Sequence, residues 1–338
     1  MLTIGKIMLP VPCILAPMAG VSDLPFRLIT RAFGAPMAFT EMIDARALSH
    51  NDKRTLRMLS SVPDDRPLGV QLLGNNEEHI LKAMDVLDGH EFDLLDFNAA
   101  CPTAKITRNG KGAALLREPD KLAKILKRLV GHSKVPVTVK IRTGWDNDSI
   151  NARETALYAE DAGVSALFIH GRTKAQGYSG TVDYRIIKEV KEALKIPVIA
   201  SGDGVSLSFI RKMFDETGCD GVAIARGSLG NPWIFREIIT YFQNGTFCEK
   251  PDINDRIEMM KHHLNMLVQY YGEKKSASYF HKFFIWYTRG LSGMKPLRDR
   301  AFRTGTCKEL FDAIEELRFF NGSERIKRGT ELSTVTGT

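Results

Sequence analysis

This chain has no apolar run approaching the roughly 18 uninterrupted residues that a membrane span requires, so no membrane segment is expected. Its five cysteines stand singly at positions 13, 101, 219, 248 and 307. With no Cys-x-x-Cys pair, neither a disulfide framework nor a metal site is expected, and a reducing cytoplasm is the natural compartment. The apolar segment 7–18 is broken by Pro10, Pro12 and Pro17 and lacks a following cleavage site, so it reads as a first strand and not as a leader. After that strand comes Ala16-Pro17-Met18-Ala19-Gly20 in place of Gly-x-Gly-x-x-Gly, which argues against a doubly wound dinucleotide-binding sheet. No repeat of solenoid period is present.

What the chain does contain is a rhythm. Its 338 residues, 43% hydrophobic and 26% charged, suit one large globular domain plus a small one. Short runs rich in Val, Ile, Leu and Phe alternate with amphipathic segments, the pattern of parallel strands joined by crossover helices. Strands are expected at 14–16, 38–40, 68–72, 94–98, 137–141, 166–170, 198–201 and 221–225. Eight is the number that closes a barrel, and the expected class is α/β, a (β/α)8 TIM barrel with a small all-helical C-terminal domain. Helix starts are marked by Asp23, Asn75-Asn76, Glu118-Pro119 and Ser206. The alternation stops after 242. The expected organisation is a barrel over 1–242, a linker over 243–254, a helical domain over 255–322 and a polar tail over 323–338.

Several strand ends carry polar groups. Residues 98–102 read Asn-Ala-Ala-Cys-Pro, so Cys101 stands just past a buried strand, where barrels keep reactive groups. A packed, inert cysteine is the competing reading. Lys140 ends a β-branched run, and a lysine held there needs an anionic or electron-rich partner, such as the N1 and O2 edge of an isoalloxazine ring. Gln71, Asn98 and His170 end strands three, four and six. Such a series suits a planar heterocycle with many hydrogen-bonding edges. After strands seven and eight stand Ser201-Gly202-Asp203-Gly204 and Ala225-Arg226-Gly227, which together favour a phosphate.

The formal charge of +7 suggests a polyanionic partner only weakly, but its distribution says more. From Lys282 to Arg303 six basic residues face one acid, Asp299. Lys282, Arg289, Lys295, Arg298 and Arg300 therefore read as a phosphate-facing surface, with an ordinary solvated face as the alternative. The aromatics Tyr279, Phe280, Phe283, Phe284, Trp286 and Tyr287 are expected mainly to build the helical core.

Taken together, Ala16 to Gly20, Asn98 to Pro102, His170-Gly171-Arg172-Thr173, Gln176 to Gly180, the glycine loops and Trp286-Tyr287 with the basic segment resemble the bacterial tRNA-dihydrouridine synthases. The resemblance covers nearly the whole chain. It implies an FMN-holding barrel and a helical domain that helps bind tRNA. Pro17, Met18, Ala19, Gln71, Lys140, His170, Ser201, Gly202, Asp203, Ala225 and Arg226 would then contact the flavin, and Asn98 and Arg172 the substrate. Ser201 and Ala225 depart from the usual Asn and Gly.

The implied reaction is reduction of the uridine C5–C6 double bond. NADPH, or in second place NADH, would be the reductant. Hydride would pass from reduced FMN to C6 and a proton from Cys101 to C5. A thiol of ordinary pKa, about 8.5, keeps its proton at neutral pH yet can release it to a carbanion-like centre. The rival readings are a flavin dehydrogenase of a free pyrimidine, of the dihydroorotate type, and a non-catalytic RNA-binding barrel.

Overall fold

The computed structural model describes residues 1–319. The expected tail, and the last residues of the helical domain expected to end at 322, lie outside the described residues. The described residues divide into two compact units, one of Met1–Ser228 with Pro232–Cys248, the other of Leu229–Asn231 with Glu249 to Phe319. The helix Trp233–Asn244 carries the first unit past residue 242 and ends on Gly245, whose φ of +69° is left-handed and favours glycine.

β1 (Leu2–Ile4) and β2 (Ile7–Leu9) form an antiparallel hairpin with Leu2 opposite Leu9. The single strand expected over 7–18 is thus split, because Pro10 and Pro12 cannot donate to a ladder. β3 (Cys13–Leu15) resumes after them. It lies in one sheet with β4 (Ala38–Phe39), β5 (Ile43–Asp44), β6 (Leu68–Leu73), β7 (Leu94–Asn98), β8 (Val137–Arg142), β9 (Ala166–His170), β10 (Val198–Ser201) and β11 (Gly221–Ile224). Neighbours run parallel. β11 pairs back onto β3 with Val222 opposite Cys13, and β4 pairs β6 with Ala38 opposite Leu68, so eight strands close a ring. β5, too short to read from sequence, is appended to β6 with Ile43 opposite Leu72.

Crossover helices enforce the parallel order, and their starts are capped as expected. Asp23 accepts the Phe26 N–H at 3.0 Å, and Asn76 accepts that of His79 at 2.9 Å. Alternate residues of each strand face the barrel interior. Near the strand starts these are apolar: Ile14, Phe39, Leu94, Ala166, Phe168, Ile199 and Ala223 form one buried cluster with Leu2, Ile4 and Leu9 of the hairpin. The Phe39 ring meets Phe168 edge-on at 5.6 Å and lies over Gly69, where a Cβ would overlap it. Two residues beyond Leu94, Phe168 and Ile199 the same faces turn polar, at Asp96, His170 and Ser201. The core therefore fills one end of the barrel and leaves the other for chemistry.

The second unit comprises the helices Ile253–Tyr271, Glu273–Tyr287, Lys295–Ala301 and Cys307–Glu315, followed by a 3-10 turn, Glu316–Phe319. Lys295–Ala301 was not expected; Pro296 at its start makes it look like a loop, yet suits a first helical turn. Ile257, Met260, Leu264 and Leu267 recur at helical spacing and are buried, as are Phe280, Phe283, Phe284 and Tyr287. All five cysteines are free, and no helix among the described residues is long and apolar enough to cross a membrane.

Candidate active site

A cavity of about 420 Å³ opens at the C-terminal ends of the barrel strands. That volume falls in the range of small-molecule and cofactor sites. Thirteen residues singled out from the sequence line it: Pro17, Met18 and Ala19 after β3, Gln71 on β6, Asn98 and Cys101 at and after β7, Lys140 on β8, His170 on β9, Ser201, Gly202 and Asp203 from β10, and Ala225 and Arg226 after β11. They converge because parallel strands all deliver their C-terminal ends to one face.

Register explains the contacts between them. Gln71 stands opposite Asp96, Asp96 opposite Thr138, and Asn98 opposite Lys140. Gln71 Nε2 donates to Asp96 Oδ2 and Thr138 Oγ1 to Asp96 Oδ1, both at 2.7 Å. Asn98 Nδ2 donates to Gln71 Oε1 at 2.8 Å, while Asn98 Oδ1 accepts the main-chain N–H groups of Ala100 and Cys101 at 3.0 and 2.9 Å. The half-buried Cys101 thiol reaches Thr103 Oγ1 at 3.5 Å.

Lys140 Nζ donates to Ser201 Oγ at 2.8 Å, and that hydroxyl donates on to the Ile169 carbonyl at 3.1 Å. The serine that departs from the family pattern thus holds the lysine. Burial pushes Lys140 down to about 8, against the carboxylate of Asp96, which raises it, and with Arg142, which lowers it further. Burial likewise pushes Asp96 up to about 6, with Gln71, Thr138 and Lys140 opposing. His170 is driven far below the ordinary imidazole range by burial first and then by Arg142, Lys140, Arg172 and Arg226, so it is neutral.

Three residues of the site escaped the sequence reading. Arg142 lines the cavity and donates to the Ala100 carbonyl at 2.7 Å and to those of Thr173 and Gly177 at 2.9 Å. Its signal was its place two residues after Lys140, on the same strand face. Tyr178, 61% exposed, lies beneath the guanidinium groups of Arg142 and Arg226 at 5.7 and 5.1 Å. Asp96, a lone acid in an apolar strand two residues before Asn98, is the third.

Arg172 was expected to contact the substrate. It does not line the cavity but is 2% exposed, with its guanidinium on Asp203 at 2.5 Å and on the carbonyls of Ser179 and Gly180 at 2.9 and 2.7 Å. These bonds brace the loops after β9 and β10. Arg226 reaches the same Asp203 at 2.7 Å, so that one carboxylate, at a φ of +53°, ties the loops after β9, β10 and β11.

The basic row of the helical unit is also less uniform than its sequence. Arg298 Nε donates to Thr288 Oγ1 at 2.9 Å and its other arm to the Thr288 carbonyl, closing the end of Glu273–Tyr287. Arg300 pairs with Glu316. The Lys282 ammonium lies 3.4 Å from the Tyr279 ring centroid. Arg289, Lys295 and Arg303 are exposed.

The cavity's donor set suits a flavin. His170 Nδ1 is buried without a partner, an orphan that a ring heteroatom would satisfy. Gly202, at φ +116°, leaves open a cradle in which a Cβ would stand 2.7 Å from Val182 and 3.3 Å from His170 Nε2. Lys140 adds a cation and Gln71 an amide.

The fold is shared with an old yellow enzyme homologue from Zymomonas mobilis (TM-score 0.53, 12% identity, covering 75% of this chain and 94% of that one) and with morphinone reductase (TM-score 0.52, 14% identity, 75% and 91%). In sequence the chain is 38% identical over 320 residues to tRNA-dihydrouridine synthase B of Pasteurella multocida, covering 94% of this chain and 95% of that protein. It is 38% identical over 295 residues to tRNA-dihydrouridine synthase B of Pseudomonas aeruginosa, covering 87% and 89%. A probable tRNA-dihydrouridine synthase of Rickettsia bellii is 37% identical over 299 residues, covering 88% and 92%. Residues 14–321 match the dihydrouridine synthase family, and this chain belongs to that family.

Proposed function

We propose that this protein is an FMN-dependent tRNA-dihydrouridine synthase, which reduces the C5–C6 double bond of uridine in tRNA with electrons from NADPH or, in second place, NADH. Its place is then the cytoplasm, with tRNA. The observation that carries the reading is the convergence of Cys101, Lys140, His170 and the Ser201 and Arg226 loops on one cavity.

When bound, FMN supplies the hydride that goes to C6 of the uracil. Cys101 Sγ holds the proton that goes to C5, and the loop carrying it is tied to the strand end by Asn98. Lys140, steadied by Ser201, brings positive charge to where negative charge gathers. Neutral His170 offers Nδ1 for hydrogen bonding without competing for that charge. The turn 202–204 and Arg226 suit the phosphate of the cofactor. A uracil within folded tRNA must leave its stack to enter such a cavity, and basic side chains holding the backbone offset that cost.

The test compares turnover of the flavin-loaded protein on unmodified tRNA with turnover on free uracil and orotate. Dihydrouridine formed in tRNA alone supports the reading. Equal turnover of free orotate favours the dihydroorotate-type rival, and a purified protein that takes up no flavin favours the non-catalytic one.

A further inference from the structure

We propose that Asp96 is a positioning residue: as a group that only accepts hydrogen bonds, it sets the direction of the bonded chain through Gln71 and Asn98 that holds the Cys101 loop. The inference rests on the reading of Cys101 as the proton donor.

The chain has two fixed ends. At the loop end stand the main-chain N–H groups of Ala100 and Cys101, which can only donate, so Asn98 must present Oδ1 to them. Its Nδ2 is then left for Gln71, which must answer with Oε1. Gln71 thereby has only Nε2 for its remaining neighbour, and that neighbour must accept. Asp96 is such a group. It is 1% exposed, and its second oxygen is occupied by the Thr138 hydroxyl. Both ends therefore demand the same polarity, and no amide in between can turn without setting two donors or two acceptors face to face. A buried mismatch of that kind is costly, so the carboxylate locks the loop.

The chain also predicts an unusual dependence on two neighbours. In Asp96→Asn the Thr138 hydroxyl can rotate to accept the new amide, which keeps its oxygen for Gln71 and preserves the direction. In Thr138→Val the carboxylate remains and again the direction is preserved. Only in the double variant does the amide lack an acceptor at 138; it then competes with Asn98 Nδ2 for Gln71 Oε1, so the polarity is fixed from the loop end alone and Asn98 is held less firmly on the Cys101 N–H.

The experiment measures iodoacetamide labelling of Cys101 in the folded, flavin-free protein, and kcat and KM for tRNA in the flavin-loaded protein. A Cys248→Ser background removes the other half-buried thiol; Cys13, Cys219 and Cys307 are buried. Each single substitution is expected to change labelling and kcat by up to about threefold. The double variant is expected to raise labelling and lower kcat by about tenfold or more beyond the product of the singles, with KM for tRNA within about threefold.

A double variant whose effects are the plain product of the singles overturns the proposal. So does an Asp96→Asn variant as impaired as the double, which would assign the effect to lost charge. If the double variant does not fold, Gln71→Met cuts the chain one link further on. Labelling should then rise and be indifferent to adding Asp96→Asn; a further change of about tenfold on that addition overturns the proposal. Labelling needs no turnover, so it decides the positioning role even if Cys101 proves dispensable for the reaction.

Discussion

Asn98 Oδ1 accepts the main-chain N–H of Cys101 at 2.9 Å, which joins the last residue of β7 to the thiol-bearing loop. The sulfur is thus placed by a strand, and its position at the cavity wall follows from the barrel and not from loop chance. Replacing Cys101 by Ala is expected to leave a protein that binds FMN and is reduced by NADPH. Dihydrouridine formation should fall about 10²- to 10⁴-fold, the usual contribution of a positioned acid. Full turnover, measured as dihydrouridine released from tRNA, would remove the cysteine from the chemistry.

Lys140 is held below its ordinary range, at about 8, and is cationic at neutral pH. Its charge is lost as pH rises through that value. Turnover that depends on the charge is therefore expected to decline above about pH 8, and Lys140→Met should lack this alkaline limb and show a more negative flavin midpoint potential. In the flavin-free protein the sign is opposite. Between about 8 and the ordinary lysine value of 10.5 the unfolded chain binds more protons, so this group makes stability rise with pH. Potentiometry and pH-dependent denaturation check the two limbs separately.

Gly69 faces the barrel interior beneath the Phe39 ring. A methyl group there overpacks the core, and Gly69→Ala is expected to cost about 1–3 kcal/mol. Urea unfolding should show a lower midpoint with unchanged slope. Adding Phe39→Leu, which removes the ring, should recover part of the loss; no recovery would contradict the packing account.

Within the helical unit, Arg298 and Arg300 are engaged by Thr288 and Glu316, so neutralising them mixes loss of charge with loss of structure. The cleaner set is Arg289, Lys295 and Arg303. Changing all three to Gln should make tRNA binding less salt-dependent, the slope falling by about one for each phosphate that is no longer neutralised. Flavin content should not change. Arg298→Gln alone should instead lower the melting temperature, since it strips the end of a helix.

His263 is fully buried beside Phe283, with ring centroids 4.3 Å apart, and its imidazole is pushed down to about 3 by burial, with His262 and Lys282 lowering it further. Between about 3 and the ordinary value of 6.5 the unfolded chain binds the extra proton, so stability from this group is lost as pH falls through that window. Thermal melts from pH 7 to 4 should show the loss. In His263→Gln that dependence should flatten, and an unchanged slope would assign the acid sensitivity to other groups.

Much of this was legible in the residues themselves. The eight barrel strands, their order and the face on which Cys101, Lys140, Gln71, Asn98 and His170 meet follow from apolar runs, crossover lengths and the two-residue period of strands, all of which are local. The hairpin and β5 were missed because segments of two or three residues carry too little pattern. Arg142 and Asp96 had only a weak signal, a charge two residues from a recognised site residue. Their partners lie 42 residues away in sequence, at Ala100 and Thr138.

Sequence alone determined the architecture, because burial periodicity and the handedness of crossovers leave few ways to arrange such strands. Tertiary structure decided which polar group answers which. Arg172 was committed to Asp203, Arg298 to Thr288 and Ser201 to Lys140, since strand register and loop closure, which no local pattern encodes, set the distances between them.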